Sequence, residues 1–495
     1  MKFKKMHRTH HLQLSNPLAG IAALSLLAPC QTLGKEKEAR PNVLMICVDD
    51  LNDWIGCMGN IPSAKTPHID RLASRGVLFT NAHCQAPLSG PSRASLMTGL
   101  RPSTTGIYGQ INDADIRMAS RTTHDILFLP EYFEKYGYHT LGVGKIFHEH
   151  APAGVFRESG GRVKGFGPHP PSGKRFHWNR PGTQTDWGAF PATDEEMPDY
   201  QSAQWAVKQL NRQFDQPFFL AVGFIRPHVP WYVPQKWFDL YPIETIALPP
   251  CKVDDKNDIP DIALEMDRWD MMPTTEWAIN SGQWKYMVQA YLACVSFVDH
   301  CIGEVLEALD NSGYGDNTVV VLFSDNGYRM GQKGVFAKHC LWQEATRVPL
   351  IVSCPGMKSR LACNEPVELL DIYPTLADLC ALPANPKNEG KSLKPFLMDD
   401  RQKASNSAVT TWGRNNHAVV SGHYRYIRYE DLSEELYDHR VDRYEWNNIA
   451  GMPKNNSIKK KLGKNIPAQD ALWSKKSAYD INDYFTMQKK EQSEE

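Results

Sequence analysis

Two acidic doublets, Asp49-Asp50 and Asp325-Asn326, each follow an apolar run, NVLMICV and TVVVLFS. Between them in the chain stands Ser89-Gly90-Pro91-Ser92-Arg93-Ala94, with two hydroxyls and a guanidinium directly before a helix-like run. Carboxylates and an amide, with no clustered Cys or His, suit a hard cation. Calcium is favoured over magnesium because it tolerates irregular, high coordination. Taken singly, either doublet is also an ordinary cap for a helix or turn. The serine stretch reads in more than one way. Gly90 to Ala94 approximates a nucleophile elbow with Ser92 on a tight turn. Alternatively Ser89 is the reactive residue, Pro91 starts the helix and Arg93 reaches back to hold the reacting group. A plain helix cap by Ser89 or Ser92 is the third reading. In both reactive arrangements the helix N-terminus is a prepared anion site.

Cations and imidazoles bear on what that anion is. Lys145, His148 and His150 lie in GKIFHEH, Arg226 and His228 in FIRPHVPW, and Lys338 and His339 in GVFAKHC, each just past a strand-like run or an acidic doublet. A metal and several fixed cations around one nucleophile describe a site for an oxyanion ester, whose charge must be neutralised in the transition state. A serine esterase does not need that much positive charge.

The elements that must position these groups alternate. NVLMICVDD and NTVVVLFSDNG read as strands buried on both faces, and PFFLAVGFI (217–225) and VPLIVSCPG (348–356) as two further strands. QSAQWAVKQLNRQF (201–214) and YMVQAYLACVSFVDHCIGEVLEAL (286–309) read as helices between them. Such alternation predicts an α/β sandwich with a large, mostly parallel sheet flanked by helices. Functional groups then gather at the carboxyl ends of the strands. Residues 150–200, rich in Gly, Pro and aromatics, read as a long irregular excursion walling the site. After about residue 385, HAVVSGHYRYIRYE and EELYDHR predict a smaller antiparallel meander, so the expected division is 41–384 and 385–495. The polar tail from about 455 is expected to be mobile at its end.

Composition limits the function. Lys and Arg number 55 against 56 Asp and Glu, and this balance argues against a nucleic-acid partner. The N-terminal MKFKKMHRTHH followed by PLAGIAALSLLAPC predicts an export signal over 1–30, too short for a membrane span, and hence a periplasmic or secreted protein. Leu27-Ala28-Pro29-Cys30 also has features of a lipid-attachment site, against which Pro29 stands. Eleven cysteines without CxxC spacing argue against a zinc site or disulfide scaffold, leaving one or two disulfides open.

Ser89-Gly90-Pro91-Ser92-Arg93, continuing ASLMTG, resembles the signature C/S-x-P-S-R of type I sulfatases of the alkaline-phosphatase-like superfamily. NVLMICVDD, GKIFH, RPHVPW, LFSDNG and GVFAK follow in the order found in that family, and the likeness runs from about 41 to 450. Within that family the chain resembles iduronate-2-sulfatase-like enzymes. The resemblance implies that Ser89 is oxidised to formylglycine, whose hydrate offers one hydroxyl to attack sulfur and a second through which sulfate is released. It implies one Ca2+ held by Asp49, Asp50, Asp325, Asn326 and residue 89. It further implies Arg93 and Lys145 steadying the formylglycine, His148 assisting proton removal, and His228 and Lys338 on the sulfate and leaving oxygen. Serine at 89, where animal sulfatases have cysteine, implies a radical-type maturating enzyme as partner. Asn326 stands where the animal iduronate enzyme has histidine.

The expected substrate is a sulfated, polysaccharide-derived glycan. Trp187 and Trp231, with Trp178, are candidate sugar platforms. Arg414 and His417, with Trp412 and Asn416, are candidates to line the sugar pocket from the C-terminal side. Three alternatives stand beside this reading: a phosphomonoester or phosphonate ester hydrolase on the same fold, a serine hydrolase using Ser92, and a glycan-binding protein in which Ser89 is never oxidised.

Overall fold

Residues 40–492 are described in the computed structural model, apart from 62, 163–164, 358–361, 399–405 and 479–481. The expected signal segment and Cys30 lie outside the described residues. The main sheet has eight strands. From one edge they are Val367–Glu368, Val77–His83, Arg347–Ser353, Thr318–Ser324, Asn42–Val48, Phe218–Phe224, His139–Gly144 and Glu158–Gly161. Arg347–Ser353, the strand expected from VPLIVSCPG, runs antiparallel to both neighbours. All other neighbouring pairs are parallel.

Strand Asn42–Val48 is buried throughout and sits between two parallel neighbours, as a continuous apolar run requires. Its period of two divides its side chains between two cores. Leu44, Ile46 and Val48 meet the long helix Trp284–Asn311, with helices Pro67–Ser74 and Pro198–Leu210 on the same face. Val43, Met45 and Cys47 meet helices Ser89–Thr98, Leu129–Lys135 and Ile372–Leu379 on the other. The parallel strands Asn42–Val48, Thr318–Ser324, Phe218–Phe224 and His139–Gly144 therefore end on one rim. There they deliver Asp49-Asp50, Asp325-Asn326, Arg226 to His228, and Lys145.

The C-terminal meander forms as expected: Ser407–Thr411, His417–Ser421, Tyr424–Arg428 and Glu434–Asp438 pair antiparallel in sequence order. The irregular excursion holds an unforeseen edge strand, Glu158–Gly161. In the tail, helices Asn456–Gly463 and Asp483–Gln492 both pack inward, and its expected mobile end, 493–495, lies outside the described residues. Leu462 joins a small core under the meander, and Phe485 sits edge-on to Trp412 at 4.6 Å. Apolar residues spaced through a polar segment were enough to dock it. The ten described cysteines are free thiols, so no disulfide forms among them. No helix among the described residues is long and apolar enough to cross a membrane.

Candidate active site

Helix Ser89–Thr98 begins at Ser89, two residues before Pro91, and its N-cap is the extended Leu88, which makes no side-chain cap bond. Ser89 is thus free of capping duty. Its Oγ lies 3.0 Å from Asp49 Oδ1 and 3.3 Å from Asn326 Oδ1, and it accepts from Lys338 Nζ at 3.0 Å. Ser92, one helical turn on, donates to the backbone carbonyl of Asp325 at 2.6 Å and is fully buried. Its hydroxyl clips the helix to the strand end and does not face the cluster's carboxylates. The first-turn amide of Gly90 is satisfied by Gln110 Oε1 at 2.9 Å.

Around Ser89 the charges interlock. Lys338 bonds Asp50 Oδ1, which also accepts from Asn326 Nδ2 at 2.7 Å. Lys145 bonds Asp49 Oδ2. Arg93 Nε donates to Asp325 Oδ2 at 2.7 Å, and its Nη2 stands 3.5 Å from Asp49 Oδ1. His228 Nε2 lies 3.8 Å from Asp50 Oδ2. Asp50 adopts a left-handed φ of 60°, an uncommon conformation for a non-glycine residue. The hydroxyl of Tyr291 holds it there, donating to Asp50 O at 2.8 Å and accepting from Asn52 N at 2.9 Å.

The electrostatics show what the cluster lacks. Burial pushes Asp49 up, but Lys145, His228, Arg93 and Lys338 outweigh it and hold the carboxyl well below its usual range. Asp50 is raised, by burial and by the neighbouring Asp49, against Lys338. Burial pushes Asp325 up to about 6, against the pull of Arg93 and with Asp49 adding to the rise. Three buried carboxylates thus compete for charge, and a divalent cation among them relieves that competition. Oxygens of Asp49, Asp50 and Asp325 lie within 4.8 Å of one another. Asp50 Oδ2 accepts no hydrogen bond among the described residues. Oxygen ligands at about 2.4 Å from one ion lie no farther apart than about 4.8 Å. An all-oxygen set of this spacing fits calcium, with Asn326 Oδ1 and residue 89 at hand. Burial, then Lys145, pushes His148 down to about 2, and burial holds His228 well below the ordinary imidazole value.

The structure therefore brings together Asp49, Asp50, Ser89, Arg93, Lys145, His148, His228, Asp325, Asn326 and Lys338. The expected sugar contacts are mostly buried. Trp187 and Trp231 are 1% and 0% exposed and belong to the main core. Trp231 is edge-on to Tyr291 and Tyr328, and Trp187 is stacked on His177. Neither presents a free face to a sugar. Trp178 is likewise buried, edge-on to Trp277 at 4.8 Å. His417 is buried and paired with Asp470 at 3.2 Å. Arg414 lies on a small-sheet turn that Gln488 pins. Trp412 and Asn416 are also buried. Aromatic residues flanked by Gly and Pro mimic a binding loop in sequence, but here the tryptophans fill cores, while Arg414 is half-buried.

Several positioning groups escaped the sequence reading. Asp113 accepts from the backbone N–H of His148, Glu149 and His150 at 3.1, 3.1 and 2.9 Å. Asp199 accepts from Ile225 N and Arg226 N at 2.7 and 2.8 Å. Arg329 Nη2 donates to the carbonyl of Lys338 at 2.8 Å and is paired with Asp267. Asp113 and Asp199 act across 26 to 37 residues, and Arg329 is fixed by Asp267 62 residues away, so no local motif marks them.

The Sulfatase family pattern matches residues 41–381. The chain belongs to the sulfatase family. A second pattern, N-sulphoglucosamine sulphohydrolase C-terminal, matches residues 331–471 of this sulfatase. It is 52% identical over 484 residues, 95% of each chain, to a sulfatase of Formosa agariphila. It is 30% identical over 447 residues to iduronate 2-sulfatase of Homo sapiens, covering 77% of this chain and 79% of that one. Among solved structures, a 2-O GAG sulfatase superimposes with a TM-score of 0.67 at 23% identity, covering 92% and 94% of the two chains, and so shares the fold.

Proposed function

We propose that this sulfatase hydrolyses sulfate monoesters on a carbohydrate, with residue 89 as formylglycine and one calcium ion. The observation that carries the reading is the place of Ser89 Oγ. It is shared between two oxygens of the cation set, on Asp49 and Asn326, and the ammonium of Lys338. A calcium ion held by Asp49, Asp50, Asp325, Asn326 and residue 89 supplies positive charge for the sulfate oxygens. A formylglycine at 89, hydrated by one water, would supply a geminal diol, one hydroxyl to take the sulfuryl group and one to let it go.

The chain's own residues do the rest. Arg93, fixed by Asp325, and Lys145, fixed by Asp49, steady residue 89. His148, kept neutral by burial and by Lys145, is the proton acceptor there. Lys338 and His228 hold sulfate and serve the departing oxygen. The sugar substrate is supported by the 30% identity to iduronate 2-sulfatase. The basic and then apolar N-terminus supports export to the periplasm or beyond. Serine rather than cysteine at 89 supports maturation by a radical-type enzyme.

The test is mass spectrometry of the Ser89 peptide from the natural host, paired with sulfate and phosphate release from matched sugar esters. Loss of two hydrogens at Ser89 with sulfate release is the expected result. An unmodified serine overturns the formylglycine mechanism. Phosphate release exceeding sulfate release points to the phosphomonoester alternative.

A further inference from the structure

Arg226 is fully buried, yet among the described residues its side chain hydrogen-bonds to backbone carbonyls. Its Nε donates to Tyr232 O at 3.1 Å, Nη1 to His228 O at 3.1 Å and Nη2 to Phe166 O at 2.7 Å. One planar guanidinium thereby ties the turn carrying His228 to a second loop over sixty residues earlier in the chain. That loop is Gly165-Phe166-Gly167, with left-handed φ of 55° and 100° at its two glycines. A Cβ on Gly167 would come within 3.2 Å of Arg226 Nη2, so the close approach needs glycine there. The loop presents the Phe166 ring flat against His228, with centroids 4.5 Å apart and planes at 11°. Lys145 Nζ stands 5.7 Å from the centre of the same ring. His228 Nδ1 lies 2.6 Å from Val229 O, an acceptor only, so Nδ1 carries hydrogen and Nε2 is the nitrogen turned toward the cluster.

We propose that Phe166, latched by Arg226, is a positioning residue that fixes the His228 ring plane so that Nε2 meets the leaving oxygen of the ester. The inference rests on the function proposed above. When the S–O bond breaks, the bonding pair stays on the departing oxygen, which must take up a proton. The anionic ester against Nε2 favours the His228 imidazolium, whose Nε2 gives that proton and whose Nδ1–H stays on Val229 O, leaving the ring neutral. A poor leaving group needs the help of His228 and Lys338, whereas a nitrophenolate hardly does. Loss of the latch therefore selects against poor leaving groups, while mere loosening of the fold depresses all substrates alike.

The experiment is a series of aryl sulfates of graded leaving-group pKa, from 4-nitrophenyl to phenyl sulfate, assayed with the calcium-loaded, matured enzyme. For Phe166→Ala we expect kcat/KM to fall about tenfold more on phenyl sulfate than on 4-nitrophenyl sulfate. Phe166→Leu keeps apolar bulk without a flat ring and should show the same tilt should the alanine variant fold poorly. Phe166→Trp should restore the wild-type slope, and Arg226→Lys, which cannot span three carbonyls, should steepen it. In a His228→Ala background, Phe166→Ala should add no further tilt. Parallel losses across the series in an active enzyme overturn the latch alone. A wild-type enzyme with unmodified Ser89 and no sulfate release overturns the function reading and the latch with it.

Discussion

At the scale of single residues, two serines three positions apart do unlike work because of the helix they share. Ser89 at the first helical position faces the carboxylates, and Ser92, one turn along, faces the carbonyl of Asp325. Ser89→Ala should abolish sulfate release without loss of fold. Ser92→Ala should retain sulfate release but cost about 1–3 kcal/mol, because a buried carbonyl loses its donor. Sulfate assays and urea midpoints on the two variants check the contrast. The same cluster predicts the response to metal removal. Treatment with a calcium chelator should abolish activity and lower the melting temperature, since the carboxylates of Asp49, Asp50 and Asp325 are left repelling one another. Calcium should restore both, and melting curves with and without the ion read the effect.

At the scale of elements, the site is a set of strand ends and the turns that follow them. The turn from Lys145 to His150 is held by Asp113, whose two carboxylate oxygens take three backbone N–H groups. An amide offers a single acceptor oxygen, so Asp113→Asn should strand at least one donor at about 1–3 kcal/mol. Because His148 and Lys145 ride on that turn, kcat should fall more than KM rises, a split that steady-state kinetics measures. Most of these elements were legible in the chain. Apolar runs ending in Asp-Asp or Asp-Asn mark strand ends, and the long period-3.6 segment became helix Trp284–Asn311. Strand Glu158–Gly161 was not legible, since ESGG is polar and glycine-rich and joins the sheet only at its edge.

At the scale of the whole molecule, buried carboxylates outside the site make stability depend on pH. Asp299 accepts from Ile69 N at 2.8 Å and His68 N at 3.2 Å at the start of helix Pro67–Ser74, and burial pushes it up to about 7 from an ordinary 3.8. Between these values the folded chain holds a proton that the unfolded chain has lost. Its contribution is therefore complete below about pH 4 and falls as pH rises toward about 7. Urea unfolding of the wild type should show that decline, and Asp299→Asn should flatten it. An unchanged slope in the variant would assign the decline to other groups, such as Asp371, which burial also pushes up to about 7.

The sequence by itself determined the fold class, the strand ends and the identity of every residue in the charged cluster. Those are properties of residue type and of periodicity along a short stretch of chain. Tertiary structure alone decided which candidates meet and which are sealed away. Asp50 and Lys338 are 288 positions apart and touch because the loop that follows strand Thr318–Ser324 folds back over the rim where Asp50 stands. Trp187, Trp231 and His417 carry the chemistry of sugar contacts, yet packing from both sides removed their faces from solvent. Exposure depends on what covers a residue, and what covers it comes from distant parts of the chain. Arg226 shows the same logic in reverse: its motif was visible, but its three carbonyl partners existed only after the loops had folded together.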